Sequence, residues 1–331
     1  MNRTARNILL AAVTGMLNFS AFAQTQPAAA KPADTPKGMG PYMMTVMQGE
    51  KTARTQVWLI RRSRDMVWIS RKTQTGTYID MGMSQNDIVK LEMPRPPAFA
   101  AAEQAADDTA RRTAQRALHA VQQQLLPYRD LPGVVYDEAL FLEGLLLEKL
   151  GRWDEALKLH NDILAQKYAS PMTAQAKVHA GLCLLQKKDF EGALNHLDKA
   201  SIPPEDIELL SEVCFGRGMA QQALEKYDLA IMDYLYPVVF HPFVNSNEVR
   251  CLKAVIPCYV ARKDWDAVFK AFYALKKDYP DSAETLETRT YLEAYTNELG
   301  RELDFQIELK DEELDQEDEE EGNEDETEES A

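Results

Sequence analysis

The sequence predicts a mostly α-helical solenoid preceded by a small antiparallel β module. Two observations predict it. Three segments repeat one pattern at a fixed spacing of 37 residues: Gly144, Trp153, Ala156, Leu157; then Gly181, Phe190, Ala193, Leu194; then Gly218, Tyr227, Ala230, Ile231. A period in that range marks units that cannot bury their apolar faces alone and must stack. Upstream, residues 43–93 change character to short β-rich runs separated by turn residues.

The β module, residues 43–97, is built from Gln56–Ile60, Met66–Ser70, Thr75–Ile79, Ile88–Leu91 and a weaker run at Met43–Met47. Ser63-Arg64-Asp65, Thr73-Gln74 and Ser84 to Asp87 punctuate them as turns. The spacing fits a small sheet or barrel. Pro94, Pro96 and Pro97 end it. Its cluster of Arg61, Arg62, Arg64, Arg71 and Lys72 beside Trp58 and Trp68 would bind an anion or an acidic polymer. The alternative is a set of solvated strand edges and turns, where charge opposes edge pairing.

Residues 99–305 are the helical part. A helix over 99–126, with Ala114, Leu118, Val121 and Leu125 at three- and four-residue steps, would cover the open end of the stack. Each repeat then reads as a helix pair: 137–150 with 153–166, 174–186 with 190–200, and 207–224 with 227–236, the last stopped at Pro237. The recurrent glycine and alanine let paired helices approach, and the aromatic opens the second helix. A fourth, weaker unit runs from Trp265, with Ile256 and Val268 at the glycine and alanine positions and Pro257 inside its first helix. That proline should kink the helix or end it early. A closing helix follows over 283–303, with Leu286, Tyr291, Leu292, Tyr295 and Leu299 on one side.

The glycine, aromatic and alanine positions, with Leu150-Gly151-Arg152-Trp153-Asp154-Glu155-Ala156 at the centre of the first unit, resemble the tetratricopeptide repeat (TPR) family over residues 137–282. The spacing of 37 exceeds that family's usual unit and implies extra residues between repeats. The resemblance implies a concave groove lined by the first helix of each pair. Carried onto this chain, the groove positions are Phe141 and Leu145, Val178 and Leu182, and Phe215 and Met219, bordered by Glu138, Gln175, Glu212 and Gln222. The groove would take a peptide with apolar anchors, or these side chains would cover one another. The Lys/Asn clamp with which some relatives hold a C-terminal carboxylate is missing.

The ends carry separate signals. Arg3 and Arg6, the apolar run Ile8–Met16 and Ala21-Phe22-Ala23 fit a signal peptide over 1–23, and hence an exported, periplasmic protein. Retention of that run as an anchor is the alternative. Residues 24–42 read as a flexible linker. The net charge is −16, yet residues 311–331 hold 14 acidic and no basic side chains, so the rest of the chain is nearly neutral. A tail over 306–331 is expected to be disordered. A chain without a basic footprint is a poor nucleic-acid binder. After signal removal no segment is expected to span a membrane.

Cys183, Cys214, Cys251 and Cys258 all fall on predicted helices and read as small buried side chains. The five histidines show neither metal-ligand spacing nor a nucleophile partner, so no metal, cofactor or catalytic residue is expected. The expected function is a non-enzymatic scaffold or adaptor of the cell envelope that binds a protein or peptide. The alternative is a structural component of an envelope or secretion assembly, docked through the β module.

Overall fold

The computed structural model describes residues 35–241, 244, 247–300 and 303. The signal segment, most of the linker and the acidic tail expected from the sequence lie outside the described residues. The chain forms two compact units, one holding the residues up to Pro96 with Gln123–Tyr136, the other Pro97–Gln122 with Asp137 onward.

The first unit is an antiparallel sheet of β1 (Met39–Gln48), β2 (Lys51–Ser63), β3 (Met66–Lys72), β4 (Tyr78–Ser84) and β5 (Ile88–Glu92), in the order β4-β3-β2-β1-β5. Alternation sends Met44, Val46, Val57, Leu59, Val67, Ile69, Ile88 and Leu91 into one core. Tyr128 and Leu131, which lie in the stretch expected to belong to the helical part, complete that core. Leu91 N–H donates to the carbonyl of Pro132 at 2.7 Å. β4 begins at Tyr78 rather than Thr75, because Thr73, Thr75 and Thr77 close a turn first. Thr73 N–H donates to the Thr77 carbonyl at 2.8 Å, and the Thr73 and Thr75 hydroxyls meet at 2.8 Å.

The second unit is a TPR-like α-solenoid. It opens with α1 (Pro97–Glu103) and α2 (Asp108–Leu125). The single helix expected over 99–126 is broken because Asp107 caps a new one, accepting from Ala110 N–H at 2.8 Å. Gln122, not Val121, is the buried contact: its amide donates to Glu143 at 2.7 Å and to the Ala139 carbonyl at 3.1 Å.

Four helix pairs follow: α3 (Tyr136–Lys149) with α4 (Trp153–Leu164), α5 (Thr173–Gln186) with α6 (Phe190–Asp198), α7 (Ile207–Ala223) with α8 (Tyr227–Phe240), and α9 (Asn247–Arg262) with α10 (Trp265–Asp278). Every pair turns the same way. Gly151, Lys188, Glu225 and Lys263 sit at φ of 71°, 63°, 59° and 59°. Each next residue donates back across the turn, Arg152 to Leu147, Asp189 to Leu184, Lys226 to Gln221 and Asp264 to Tyr259, at 2.8 to 3.0 Å. These turns are tight, so the extra length of the repeat lies between pairs, as at residues 165–172 and 199–206.

The small residues make the packing, in a specific way. Ala156, Ala193 and Ala230 are fully buried. A Cβ on Gly144, Gly181 or Gly218 would meet the side chain of His160 at 2.5 Å, Leu197 at 2.8 Å and Tyr234 at 2.6 Å, respectively. The glycine therefore makes room for one second-helix side chain, which itself recurs every 37 residues.

Neither internal proline stops its helix. α8 runs through Pro237 to Phe240, where the Tyr236 and Phe240 rings meet at a tilt with centroids 4.9 Å apart, and α9 runs through Pro257 to Arg262. After α10 come α11 (Ala283–Leu292), a 3-10 turn and α12 (Thr296–Leu299). Their buried side is Thr285, Thr288, Leu292 and Leu299, whereas Leu286 and Tyr291 are exposed. The expected apolar face was misplaced because Thr285 turns inward, its hydroxyl donating to the Tyr279 carbonyl at 2.7 Å. Among the described residues no helix is long and apolar enough to cross a membrane.

Candidate functional site

The first helices carry the predicted groove residues with very different surroundings. Phe141 and Leu145 on α3, Leu182 on α5, and Glu138, Gln175, Glu212, Phe215 and Gln222 are half-buried, and Met219 is exposed. Val178 is not a surface residue at all: it lies fully buried with Leu185, Ala193 and Leu197. The apolar stripe from Phe141 to Phe215 is therefore interrupted in the middle.

Its two ends differ again. Around Phe215 the first helices α7, α9 and α11 enclose an open cavity of about 420 Å³. Phe215, Ile256, Pro257 and Tyr291 supply its apolar surface; Arg250 and Lys253 face Glu284 and Glu287. The Arg250 guanidinium lies 4.0 Å from the centre of the Phe215 ring, and Lys253 pairs with Glu287. Gln222 accepts from the Tyr234 hydroxyl at 2.8 Å through its carbonyl oxygen, which leaves its amide N–H groups for a ligand. Pro257 has no N–H, so the carbonyl of Lys253 lacks its usual helical donor. Both residues line the cavity. The proline expected from sequence to kink or end its helix thus removes one helical hydrogen bond beside the cavity. The arrangement offers an apolar seat, both signs of charge and backbone-like polar groups, which is what a peptide segment needs.

Around Phe141 the groove is closed instead. Its ring sits 5.6 Å from that of His160 and 5.2 Å from that of His179. Both histidines converge on Glu148 of α3. His160 Nε2 lies 2.7 Å from the carboxylate and His179 Nδ1 lies 3.0 Å from it, while the Cys183 thiol donates to it at 3.7 Å. Burial alone would raise the pKa of Glu148, but hydrogen bonds from His160 and then His179 bring it down to about 2. For His160 the balance reverses: burial pushes its pKa below the ordinary value despite the adjacent carboxylate. His160 Nδ1 has no protein partner. All four cysteines are free and buried, with burial pushing Cys214 and Cys258 up to about 11 and Cys251 up to about 12.

Local metal-motif spacing does not reveal this cluster, because its members lie 12 and 31 residues apart. Two signals were present. His179 and Cys183 are four apart, on one face of α5. His160 also occupies the recurrent inward position that holds Leu197 and Tyr234 in the next two repeats.

The basic cluster of the sheet unit is split. A bulge between Leu59 and Arg61 in the β2–β3 register turns Arg62 inward, opposite Val67. There Arg62 binds Asp130 in bidentate fashion, with its second contact at 2.9 Å, and also donates to the Pro127 carbonyl at 3.1 Å and to Gln85. It is a structural tie rather than an anion ligand. The hydrogen bond from Arg62 holds Asp130 below the usual carboxylate range. Arg61 instead stacks over Trp68 at 4.6 Å, and Trp58 meets Tyr78 edge-on at 5.2 Å. Lys72 is exposed; Arg71 is half-buried, and Arg64 takes the positive-φ position in the β2–β3 turn. Alternation of the strand gave no sign of the bulge. Nor did the repeat pattern mark Leu229, Met232, Tyr236, Val239 and Phe240, which form an exposed apolar stripe along α8.

No protein-family model and no curated protein matches the chain. Solved structures do resemble it at low identity. MamA from Desulfovibrio magneticus RS-1 is 18% identical, with 57% of this chain and 100% of that chain covered at a TM-score of 0.42. PilF of Pseudomonas aeruginosa is 19% identical, covering 59% and 80% at 0.44. YrrB, described as a TPR protein with an unusual peptide-binding site, is 16% identical, covering 58% and 98% at 0.42.

Proposed function

We propose that this protein is a non-enzymatic interaction scaffold of the bacterial cell envelope, and that its groove takes a peptide or protein segment at the α7, α9 and α11 end. The observation that carries this reading is the cavity around Phe215, with its apolar seat and paired charges. A ligand with an extended backbone and an apolar anchor would fill it. Export rests on the basic start at Arg3 and Arg6, the apolar run and Ala21-Phe22-Ala23. The test is recovery of the partner by crosslinking pull-down from the native envelope. Tyr291→Glu and Phe215→Ala should abolish recovery while circular dichroism melts stay near wild type. Undiminished recovery by both folded variants contradicts the reading.

A second reading, a structural component of an envelope or secretion assembly docked through the β module, has one observation in its favour. The outer face of the sheet presents Trp58, Trp68, Tyr78 and Arg61 as an aromatic and cationic surface. That reading expects co-purification with membranes to depend on Trp68 and to be indifferent to Tyr291.

A further inference from the structure

We propose that Glu148, His160 and His179 form a binding site for a divalent transition-metal ion, and that Zn²⁺ is the ion their donors fit. One carboxylate oxygen, His160 Nε2 and His179 Nδ1 all lie within 4.8 Å of one another. They come from three helices, α3, α4 and α5, so an ion there would tie the first repeat to the second. Two imidazole nitrogens and one carboxylate are a donor set of zinc sites that leave a fourth position for water. Calcium and magnesium would ask for more oxygens than the cluster offers.

The distances fit with a small adjustment. Tetrahedral zinc with bonds of about 2.0–2.2 Å holds neighbouring ligand atoms roughly 3.3–3.5 Å apart. The carboxylate contacts are 2.7 Å to His160 and 3.0 Å to His179, so the donors must part by roughly half an ångström to admit the ion. The Cys183 thiol, donating to the same carboxylate, fixes its orientation as outer partners of metal ligands do. His160 is fully enclosed, but Glu148 and His179 keep 14% and 16% of their side chains exposed, which gives an entry path.

The other repeats show that the fold does not require this chemistry. The pair Glu148–His160 recurs as Leu185–Leu197 in the second repeat and as Gln222–Tyr234 in the third. An apolar contact or one neutral hydrogen bond fills the same slots there. The position of His179 on α5 is Gly216 on α7. Among the described residues, no lysine or arginine pairs with Glu148. A buried carboxylate with two imidazoles and no cationic partner is a costly substitute for two leucines unless it binds something.

The experiment uses the full chain, stripped with a chelator and titrated with Zn²⁺ by calorimetry, with Co²⁺ as an optical probe. The expected result is binding of a single ion per chain, a Tm that climbs with Zn²⁺ concentration, and Co²⁺ absorption of the tetrahedral type. His179→Ala, at a side chain only partly enclosed, and near-isosteric Glu148→Gln should each weaken binding at least tenfold while keeping the helical spectrum. His196→Ala, which removes a histidine outside the cluster, should bind as wild type. Absence of stoichiometric binding by the wild type overturns the proposal. So does binding that survives unchanged in both His179→Ala and Glu148→Gln, since the ion would then sit elsewhere, for instance on the acidic tail.

Discussion

The first and third repeats place phenylalanine at the same position, Phe141 and Phe215, and surround it in opposite ways. Phe141 is packed against His160 and His179, over a carboxylate that holds both rings. Phe215 borders an open cavity, with Arg250 4.0 Å from its ring centre and the Tyr234 ring 5.7 Å away. The repeat fixes where the ring stands. Its neighbours on the adjoining helices decide whether the groove there is sealed or available. One end of the array therefore resembles a clasp and the other a seat.

The comparison extends to the inner pairs, and it can be broken most strongly at the apolar one. Leu197 is enclosed between Gly181 and the core of the second repeat. Leu197→Ala should cost about 3 kcal/mol in chemical denaturation. Gly218→Ala should cost about 2 kcal/mol, because its Cβ would lie 2.6 Å from the ring of Tyr234, which is itself buried. A loss below about 0.5 kcal/mol in either would mean that the recurrent slots are slack.

Acid should separate the clasp from its apolar counterpart. His160 has a folded pKa below its ordinary 6.5, so its contribution is present above that value and is lost as pH falls below it. Glu148 has a folded pKa of about 2 against an ordinary 4.5, so its contribution is held above 4.5 and lost on the way down to about 2. Both act in the same direction. The double variant Glu148→Leu/His160→Leu, which copies the second repeat, should flatten the fall in stability below about pH 6.5. An acid limb identical to wild type in metal-free protein would remove the clasp from the account.

The smallest effect concerns the turns. Gly151 meets nothing within 4 Å and takes its positive φ freely, whereas Glu225 does so with a side chain. Glu225→Gly should stabilise by about 0.5 kcal/mol in a thermal melt, and Gly151→Ala should cost about 1 kcal/mol. Equal effects of either sign would show that the turns are not equivalent.

Much of this was legible in the chain. Glycine, aromatic and alanine at one spacing located the helix pairs, since residue size at a helix crossing is a local property that recurs with the fold. The groove positions were less legible. Val178 occupies the same register as Phe141 and Phe215, but a shorter side chain there is covered by its neighbours rather than presented. The inward turn of Arg62 depends on a bulge that no residue type announces, and the Glu148 cluster joins three helices across sequence separations of 12 and 31 residues. The seat at α9 was visible only as an anomaly. Pro257 reads from sequence as a kink in its helix, and in the structure it lines the cavity.

The most direct measurement places a photo-crosslinking amino acid at Tyr291, which is 38% exposed at the cavity, and separately at Met232, which is 69% exposed on α8. In cells the account predicts a discrete crosslinked partner from position 291 that Phe215→Ala abolishes. A partner captured only from position 232, with none from 291, would contradict it.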